Sequence, residues 1–166
     1  MTVVVKICGN RSAADLMAAA EAGSDLVGIV FADSRRRVDL IEAQRMVEEF
    51  REQTPNPPQV VGIFADQTES EVNRTADAVK LDMVQLNGSE SPDYWSRVER
   101  PIIRAIRMPS DFSVEEAGDR LTAAYGQLGN DNSLLLVEPF VEGFYGGTGI
   151  KMDLAMAREL AFHHTF

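Results

Sequence analysis

Short apolar runs alternate with longer amphipathic stretches along the whole chain of 166 residues. The apolar runs are rich in Val and Ile and predict six strands, at residues 3–8, 26–31, 59–64, 83–86, 102–106 and 134–137. The stretches between them carry apolar residues at helical spacing and predict six helices, at residues 12–22, 40–53, 69–79, 91–98, 114–128 and 152–162.

This alternation of strands and helices predicts an α/β fold. The spacing of the strand starts matches one βα unit, and continuous apolar strands are typical of a parallel sheet that is buried on both faces. Two architectures fit the pattern: an open, doubly wound sheet, or part of a (β/α)8 barrel. The periodicity alone does not separate them.

Composition narrows the class of protein further. A content of 45% hydrophobic and 25% charged residues predicts a single globular domain over residues 1–166. The net charge of −10 argues against binding to nucleic acid or to anionic membranes and favours a small-molecule partner. The chain has a single cysteine, an N-terminus unlike a signal peptide, and no apolar run long enough to span a bilayer, so we expect a cytoplasmic protein.

Residues with reactive or ligand-binding groups follow the predicted strands. The carboxyl ends of parallel strands meet at one edge of a sheet, where functional residues collect in both architectures. The candidates at these ends are Cys8, the arginines 35–37, Gln85, Asn87, Glu138 and the glycine-rich segment 143–149. We therefore expect one pocket at this edge, the mouth of the sheet or barrel, that contains a thiol, a carboxylate, an arginine cluster and a glycine-rich loop.

Each candidate also has a structural interpretation. A lone cysteine in a strand is most often a small buried hydrophobe, although the position of Cys8 before Gly9 at a strand end favours a general base. Glu138 is either a carboxylate that faces the pocket or a solvated loop charge. The arginines are either an exposed run or the source of a clamp for a carboxylate or phosphate.

The glycine-rich segment and the two histidines carry weaker signals. Glycines let backbone N–H groups approach an anion, and the helix predicted from residue 152 adds a positive dipole end, but such loops also serve only as turns. The segment matches neither a Walker A loop nor a dinucleotide-binding fingerprint. His163 and His164 have no suitably spaced ligand partners, so we expect no metal site.

Six motifs together resemble phosphoribosylanthranilate isomerases over essentially the whole chain. They are VKICG at 5–9, AAAEAGSDLVGIVF at 18–31, SRRRV at 34–38, VGIF at 61–64, VQLNG at 84–88 and GGTG at 146–149. The resemblance implies a (β/α)8 barrel of tryptophan biosynthesis that needs no cofactor. It also implies an Amadori rearrangement of the phosphosugar N-(5-phosphoribosyl)anthranilate to 1-(2-carboxyphenylamino)-1-deoxyribulose 5-phosphate.

The resemblance also implies roles for individual residues. Cys8 matches the general base of the family, and Glu138 stands where the family has an aspartate as general acid. Arg36 matches the arginine that meets the anthranilate carboxylate, although Arg35 replaces the usual proline. The substrate-binding positions at the fourth strand and in the glycine-rich loop are Gln85, Asn87 in place of the usual histidine, Gly146, Gly147, Thr148 and Gly149.

The family continues into two further βα units, whose loops hold most of the substrate phosphate. We therefore expect an incomplete barrel of about six units, with open edges at the first and sixth strands. Three explanations fit an incomplete barrel: a shortened gene, closure of the barrel by a second chain or by rearranged strands, or a paralogue that no longer binds phosphate. Two other functions remain: a non-catalytic binding or assembly protein, which predicts a homo-oligomer that covers the edges, and an isomerase of a related phosphosugar.

Overall fold

The computed structural model describes residues 3–128, 133–142, 145 and 149–164. Its strands are β1 (Lys6–Cys8), β2 (Leu26–Val30), β3 (Gln59–Phe64), β4 (Met83–Leu86), β5 (Ile102–Met108) and β6 (Leu134–Pro139). Its helices are α1 (Ala13–Glu21), α2 (Leu40–Gln53), α3 (Glu69–Val79), α4 (Pro92–Trp95), α5 (Val114–Tyr125) and α6 (Leu154–His163).

Each helix begins after a Ser, Thr or Asp residue whose side chain accepts an N–H of the first turn. These N-cap residues are Ser12, Asp39, Thr68, Ser91, Ser113 and Asp153. The caps satisfy backbone donors that have no partner within a helix, and they fix where each strand-to-helix loop ends. The loops that carry the site therefore have defined lengths.

The strand order decides between the two architectures. The six strands pair in parallel in the order β1-β2-β3-β4-β5-β6, with no reversal of the kind that defines a doubly wound sheet. One face of the sheet packs against the helices, as where Val27 and Val60 join Leu16 and Phe50 in the main core. The sheet is thus the curled, partial barrel predicted from the resemblance.

The opposite face of the sheet forms the interior of this partial barrel. Alternate strand residues that point inward form a layer of Leu26, Val61, Met83 and Ile103, with Leu134 packed against it. A second inward layer of Val30, Ala32 and Ile63 lies toward the carboxyl ends of β2 and β3. The side chains that come next along each strand on this face lie at the mouth.

Several predicted boundaries were wrong by a few residues. Strand β1 begins at Lys6 and not at residue 3, and β5 and β6 run on to Met108 and Pro139. The prediction ended β5 too early because Arg107 interrupts its apolar run, yet Arg107 pairs in register with Glu138. Glu138 therefore belongs to the strand and does not follow it.

The two edge strands have exposed apolar neighbours. In the described part of the chain, β1 and β6 each pair with a strand on one side only. Val3 is 79% exposed next to β1, and Leu154 and Phe162 of α6 are 79% and 74% exposed. Among the described helices, none is both long and apolar enough to cross a membrane.

Candidate active site

Cys8 ends β1 with its thiol exposed at the mouth of the barrel. It pairs in register with Gly28 of β2, and a Cβ at Gly28 would lie 2.9 Å from the Cys8 Sγ atom. Glycine at position 28 therefore gives the thiol its space. The exposure of Cys8 argues against the interpretation as a buried core residue.

Arg36 lies directly over the turn that follows Cys8. Its Nη1 atom donates a hydrogen bond of 3.2 Å to the carbonyl oxygen of Cys8. Gly9 has a φ of +89°, a left-handed conformation that residues with a Cβ rarely adopt, so this turn requires glycine. The fold thus brings the Arg36 guanidinium to the backbone of Cys8 across 28 residues of sequence.

The loop after β2 fixes the position of Arg36. Its backbone N–H bonds the hydroxyl of Ser34 at 3.1 Å, and the Val38 N–H returns to the Val30 carbonyl at 2.9 Å. All three arginines of the run are exposed. Arg36 is the one whose hydrogen bond reaches the β1 turn.

Gln85 and Asn87 form a buried pair of amides at the end of β4. Gln85 Nε2 donates to Asn87 Oδ1 at 2.7 Å, and Asn87 Nδ2 donates to the carbonyl of Tyr145 at 3.4 Å. Gln85 follows Met83 on the inward face, and its Oε1 atom is buried with no hydrogen-bond partner among the residues that the structure describes. An unpaired buried acceptor of this kind is suited to a substrate donor.

Glu138 occupies the inward face of β6, in line with Leu134. The side chain is half-buried, and its Oε1 atom has no hydrogen-bond partner within the described ranges. Burial raises the pKa of this carboxyl above its ordinary value, while the positive charges of Arg107 and Arg104 oppose part of the rise. The carboxyl therefore keeps its proton to a higher pH than a solvated glutamate does.

Arg107 is a functional candidate that the sequence prediction missed. It lies beside Glu138 in the β5–β6 ladder, donates a hydrogen bond of 3.1 Å to the Gly88 carbonyl, and stacks 4.8 Å from the ring of Tyr145. Strand alternation from Ile103 places it on the inward face. That alternation is a signal that could have identified it, had β5 been predicted to its full length.

A second cluster holds the loop after β4 from outside the barrel. Glu90 and Arg104 form an ion pair whose side chains are 2% and 9% exposed. Glu90 also accepts the N–H groups of Asp66 and Gly88, and Arg104 donates to the carbonyls of Leu86 and Gly88. This network sets the position of the peptide on which Arg107 also rests.

The predicted site residues thus fall into three groups along the mouth. Cys8 and Arg36 meet at the β1 end, Gln85 pairs with Asn87 at the β4 end, and Glu138 lies at the β6 end. Cys8 and Glu138 are on the two edge strands, at opposite ends of the strand order.

The glycine-rich loop is described only in part. Gly146, Gly147 and Thr148 lie outside the described residues, and Gly149 has a φ of +71°. Within the described ranges, no group of three or more His, Cys, Asp or Glu side chains is arranged to hold a metal ion.

Comparison with known proteins identifies relatives of the whole chain. The family model described as N-(5'phosphoribosyl)anthranilate (PRA) isomerase matches residues 5–165. An N-(5'-phosphoribosyl)anthranilate isomerase of Dehalococcoides mccartyi is 32% identical over 162 residues, which are 98% of this chain and 73% of the relative. One from Pseudomonas fluorescens is 38% identical over 154 residues, 91% of this chain and 67% of the relative.

Solved structures agree with the sequence relatives. The crystal structure of phosphoribosyl anthranilate isomerase from Thermus thermophilus superposes with a TM-score of 0.72 at 27% identity. The superposition covers 96% of this chain and 72% of that one. The similarity therefore extends through all six βα units.

Proposed function

This chain belongs to the family of N-(5'-phosphoribosyl)anthranilate isomerases, enzymes of tryptophan biosynthesis, and we propose that Cys8 and Glu138 are the base and the acid of its reaction. The reaction moves a proton from C2 of the sugar and opens the furanose ring. It therefore needs one group that gives a proton to the ring oxygen and another that takes the proton from C2.

Glu138 supplies the first proton in this scheme. Its protonated carboxyl gives the proton to the ring oxygen, the bond between that oxygen and C1 breaks, and the nitrogen lone pair forms the C=N bond of a Schiff base. The raised pKa of Glu138 supports this role, because a larger fraction of the carboxyl carries a proton near neutral pH. The observation that carries the assignment is the buried Oε1 atom of Glu138, which has no partner among the described residues.

Cys8 takes the second proton. Its thiolate accepts the proton from C2, and the electrons of that bond move into the Schiff base on the way to the ketone product. The exposed thiol at the mouth supports this role, and the space at Gly28 leaves the sulfur free of the neighbouring strand.

The remaining predicted residues bind and orient the substrate. Arg36 presents a guanidinium at the turn that follows Cys8, which suits the anthranilate carboxylate because guanidinium and carboxylate pair through two parallel hydrogen bonds. Gln85 offers its unpaired Oε1 atom to a sugar hydroxyl, with Asn87 holding the amide in place. Gly146, Gly147, Thr148 and Gly149 are assigned to binding of the phosphosugar in this scheme, from their match to the family motif.

The loss of anthranilate-type fluorescence tests the assignment of Cys8. Freshly made N-(5-phosphoribosyl)anthranilate is supplied to the purified chain and to its Cys8→Ala variant. We expect turnover by the parent chain and a loss of about a thousandfold in the variant, since a general base contributes roughly 10²–10⁴-fold. Cys8 is the only cysteine in the chain, so its alkylation should have the same effect.

Unfolding in urea provides the control for this experiment. Cys8 is exposed, so its replacement by alanine removes no core contact and should leave the free energy of unfolding within about 0.5 kcal/mol. Substantial turnover by a folded Cys8→Ala variant would refute the base assignment.

We also propose that a second copy of the chain covers the open edges in solution, in the cytoplasm. The support is the exposure of apolar residues at both edges. At one edge Val3 and Val5 precede β1 and Ile7 lies within it, and at the other Leu136 and Phe162 lie on β6 and α6. Sedimentation velocity tests this assembly. A dimer or larger oligomer is expected, and a monodisperse monomer would contradict it.

A further inference from the structure

Arg107 and Glu138 are direct neighbours in the β5–β6 ladder and point to the same side of the sheet. Cross-strand neighbours in register lie about 5 Å apart, within reach of long side chains. The two residues nevertheless form no ion pair in the part of the chain that the structure describes. The guanidinium of Arg107 is engaged elsewhere.

Two contacts hold the guanidinium back from the carboxyl. Its Nη2 atom donates to the Gly88 carbonyl at 3.1 Å, and its Cζ atom lies 4.8 Å from the centre of the Tyr145 ring. The Gly88 carbonyl is itself fixed by a hydrogen bond of 2.9 Å from Arg104. Arg107 therefore lies on a rigid support beside Glu138.

This separation matters for a group that must exchange a proton. A direct ion pair with an arginine would favour the carboxylate and leave little acid near neutral pH. Burial with no cation nearby would favour the protonated form and make a poor proton donor. A cation held at a fixed distance gives a balance between these two extremes, because it stabilises the carboxylate without forming an ion pair with it.

We propose that Arg107 is the positioning residue for Glu138, fixed on Gly88 and Tyr145 so that it stabilises the carboxylate left when Glu138 gives its proton to the substrate. This role rests on the proposed function. The proton moves from Glu138 to the ring oxygen as the bond between that oxygen and C1 breaks. The negative charge that remains on Glu138 then faces the guanidinium.

The other groups around Glu138 leave Arg107 as its principal charged neighbour among the described residues. Arg104 is on the same strand, but it faces outward and is paired with Glu90. Strand β4 presents the uncharged Gln85 and Asn87 toward the interior.

Carbon-13 NMR of protein labelled at the glutamate carboxyl tests the proposal without substrate. The Glu138 signal is assigned by its absence in Glu138→Gln, and its titration midpoint is measured in the parent chain and in Arg107→Met. We expect the midpoint to rise in Arg107→Met, because burial then acts without its main opposing charge. The limb of the kcat profile that reports loss of the Glu138 proton should move to higher pH as well, with kcat about tenfold lower at neutral pH.

Two variants provide matched controls. Arg107→Lys keeps the positive charge and should titrate close to the parent chain. Arg45→Met removes one charge from the exposed surface of α2 and should leave the midpoint unchanged. If Arg107 had only a structural role, its replacement by Met would lower kcat equally across the pH range. Both limbs of the kcat profile would then stay at the pH values of the parent chain.

The two assignments fail in different ways. An unchanged Glu138 midpoint in a folded Arg107→Met variant would overturn the role of Arg107, whatever the activity. Full turnover by Glu138→Gln would overturn the acid assignment instead, and the titration would still report the effect of Arg107 on the carboxyl.

Discussion

Two arginines of β5, Arg104 and Arg107, each have a glutamate as neighbour, and the two glutamates differ in how their carboxyl groups are satisfied. On the outer face of β5, Glu90 accepts hydrogen bonds from Arg104 and from two backbone N–H groups, and its side chain is 2% exposed. On the inner face, Glu138 lies beside Arg107 with one buried oxygen unpartnered among the described residues. The residue types are the same, but the hydrogen bonding is not.

The difference separates a structural pair from a reactive one. A buried carboxylate whose oxygens are all bonded cannot lose a partner without a large cost, so Glu90 fixes the loop after β4. A carboxyl with an unpartnered oxygen and a raised pKa still carries a proton to donate and is not tied into the surrounding structure. Glu138 is therefore suited to chemistry and Glu90 to stability.

Glu90→Gln should have the largest effect on stability. The new NH2 group would face Arg104 or the two backbone donors, so the variant leaves a buried cation without its counter-charge. We expect a loss of about 3–5 kcal/mol in the free energy of unfolding, measured in urea. Glu99→Gln, on the exposed surface, is the control and should change it by less than about 0.5 kcal/mol.

A double variant sharpens this expectation. Glu90→Leu combined with Arg104→Met removes both charges and should recover much of the stability that Glu90→Gln loses. If Glu90→Gln were as stable as the parent chain, the contrast between the two pairs would not hold.

Gly28→Ala tests the reactive part of the molecule by moving the Cys8 thiol. The added Cβ would lie 2.9 Å from the Cys8 Sγ atom and must displace it. A shift of about 1 Å in a reacting group can cost roughly a hundredfold in rate, so we expect kcat to fall about 10- to 100-fold. Gly126→Ala, whose Cβ would meet its nearest neighbour at 3.7 Å, should retain parent activity, and equal activity in both variants would contradict the placement of the thiol.

Glu138→Gln should have the smallest effect on stability, with the opposite sign to Glu90→Gln. Because burial raises the pKa of Glu138, its contribution to stability is fully present below the pKa of the unfolded chain and is lost as pH rises through the folded pKa. Glutamine does not ionise, so the variant should be more stable than the parent chain above that pH. The gain should stay below about 1 kcal/mol, because the half-buried group is screened by water.

Urea midpoints measured from acidic to alkaline pH would show this gain as a difference that grows with pH. A stability difference independent of pH would show that ionised Glu138 carries no cost in the folded chain.

The sequence was sufficient for the order of strands and helices and for one residue of this comparison, Glu138. Regular alternation located all twelve strands and helices that the structure describes, and the motifs around Cys8, Arg36 and Gln85 placed these residues at strand ends. Periodicity could not exclude a doubly wound sheet, since that depends on the order in which the strands pair.

The outer pair and Arg107 could not be found by the same approach. Glu90 and Arg104 are 14 residues apart, and only the folded chain brings them together through the loop after β4. Arg107 was missed because β5 was predicted to end at residue 106, before the polar residue that completes the inward face. Polar residues at the ends of buried strands are therefore easily lost when strands are predicted from apolar runs alone.

The central claim is tested most directly by the turnover of N-(5-phosphoribosyl)anthranilate by the Glu138→Gln variant. The variant and the parent chain are compared at matched protein concentration, and circular dichroism checks that the variant is folded. If the unsatisfied carboxyl on β6 is the proton donor, kcat should fall about 10²–10⁴-fold while the variant stays folded. A folded variant that keeps more than about a tenth of the parent rate would contradict the account, since an amide cannot replace the acid.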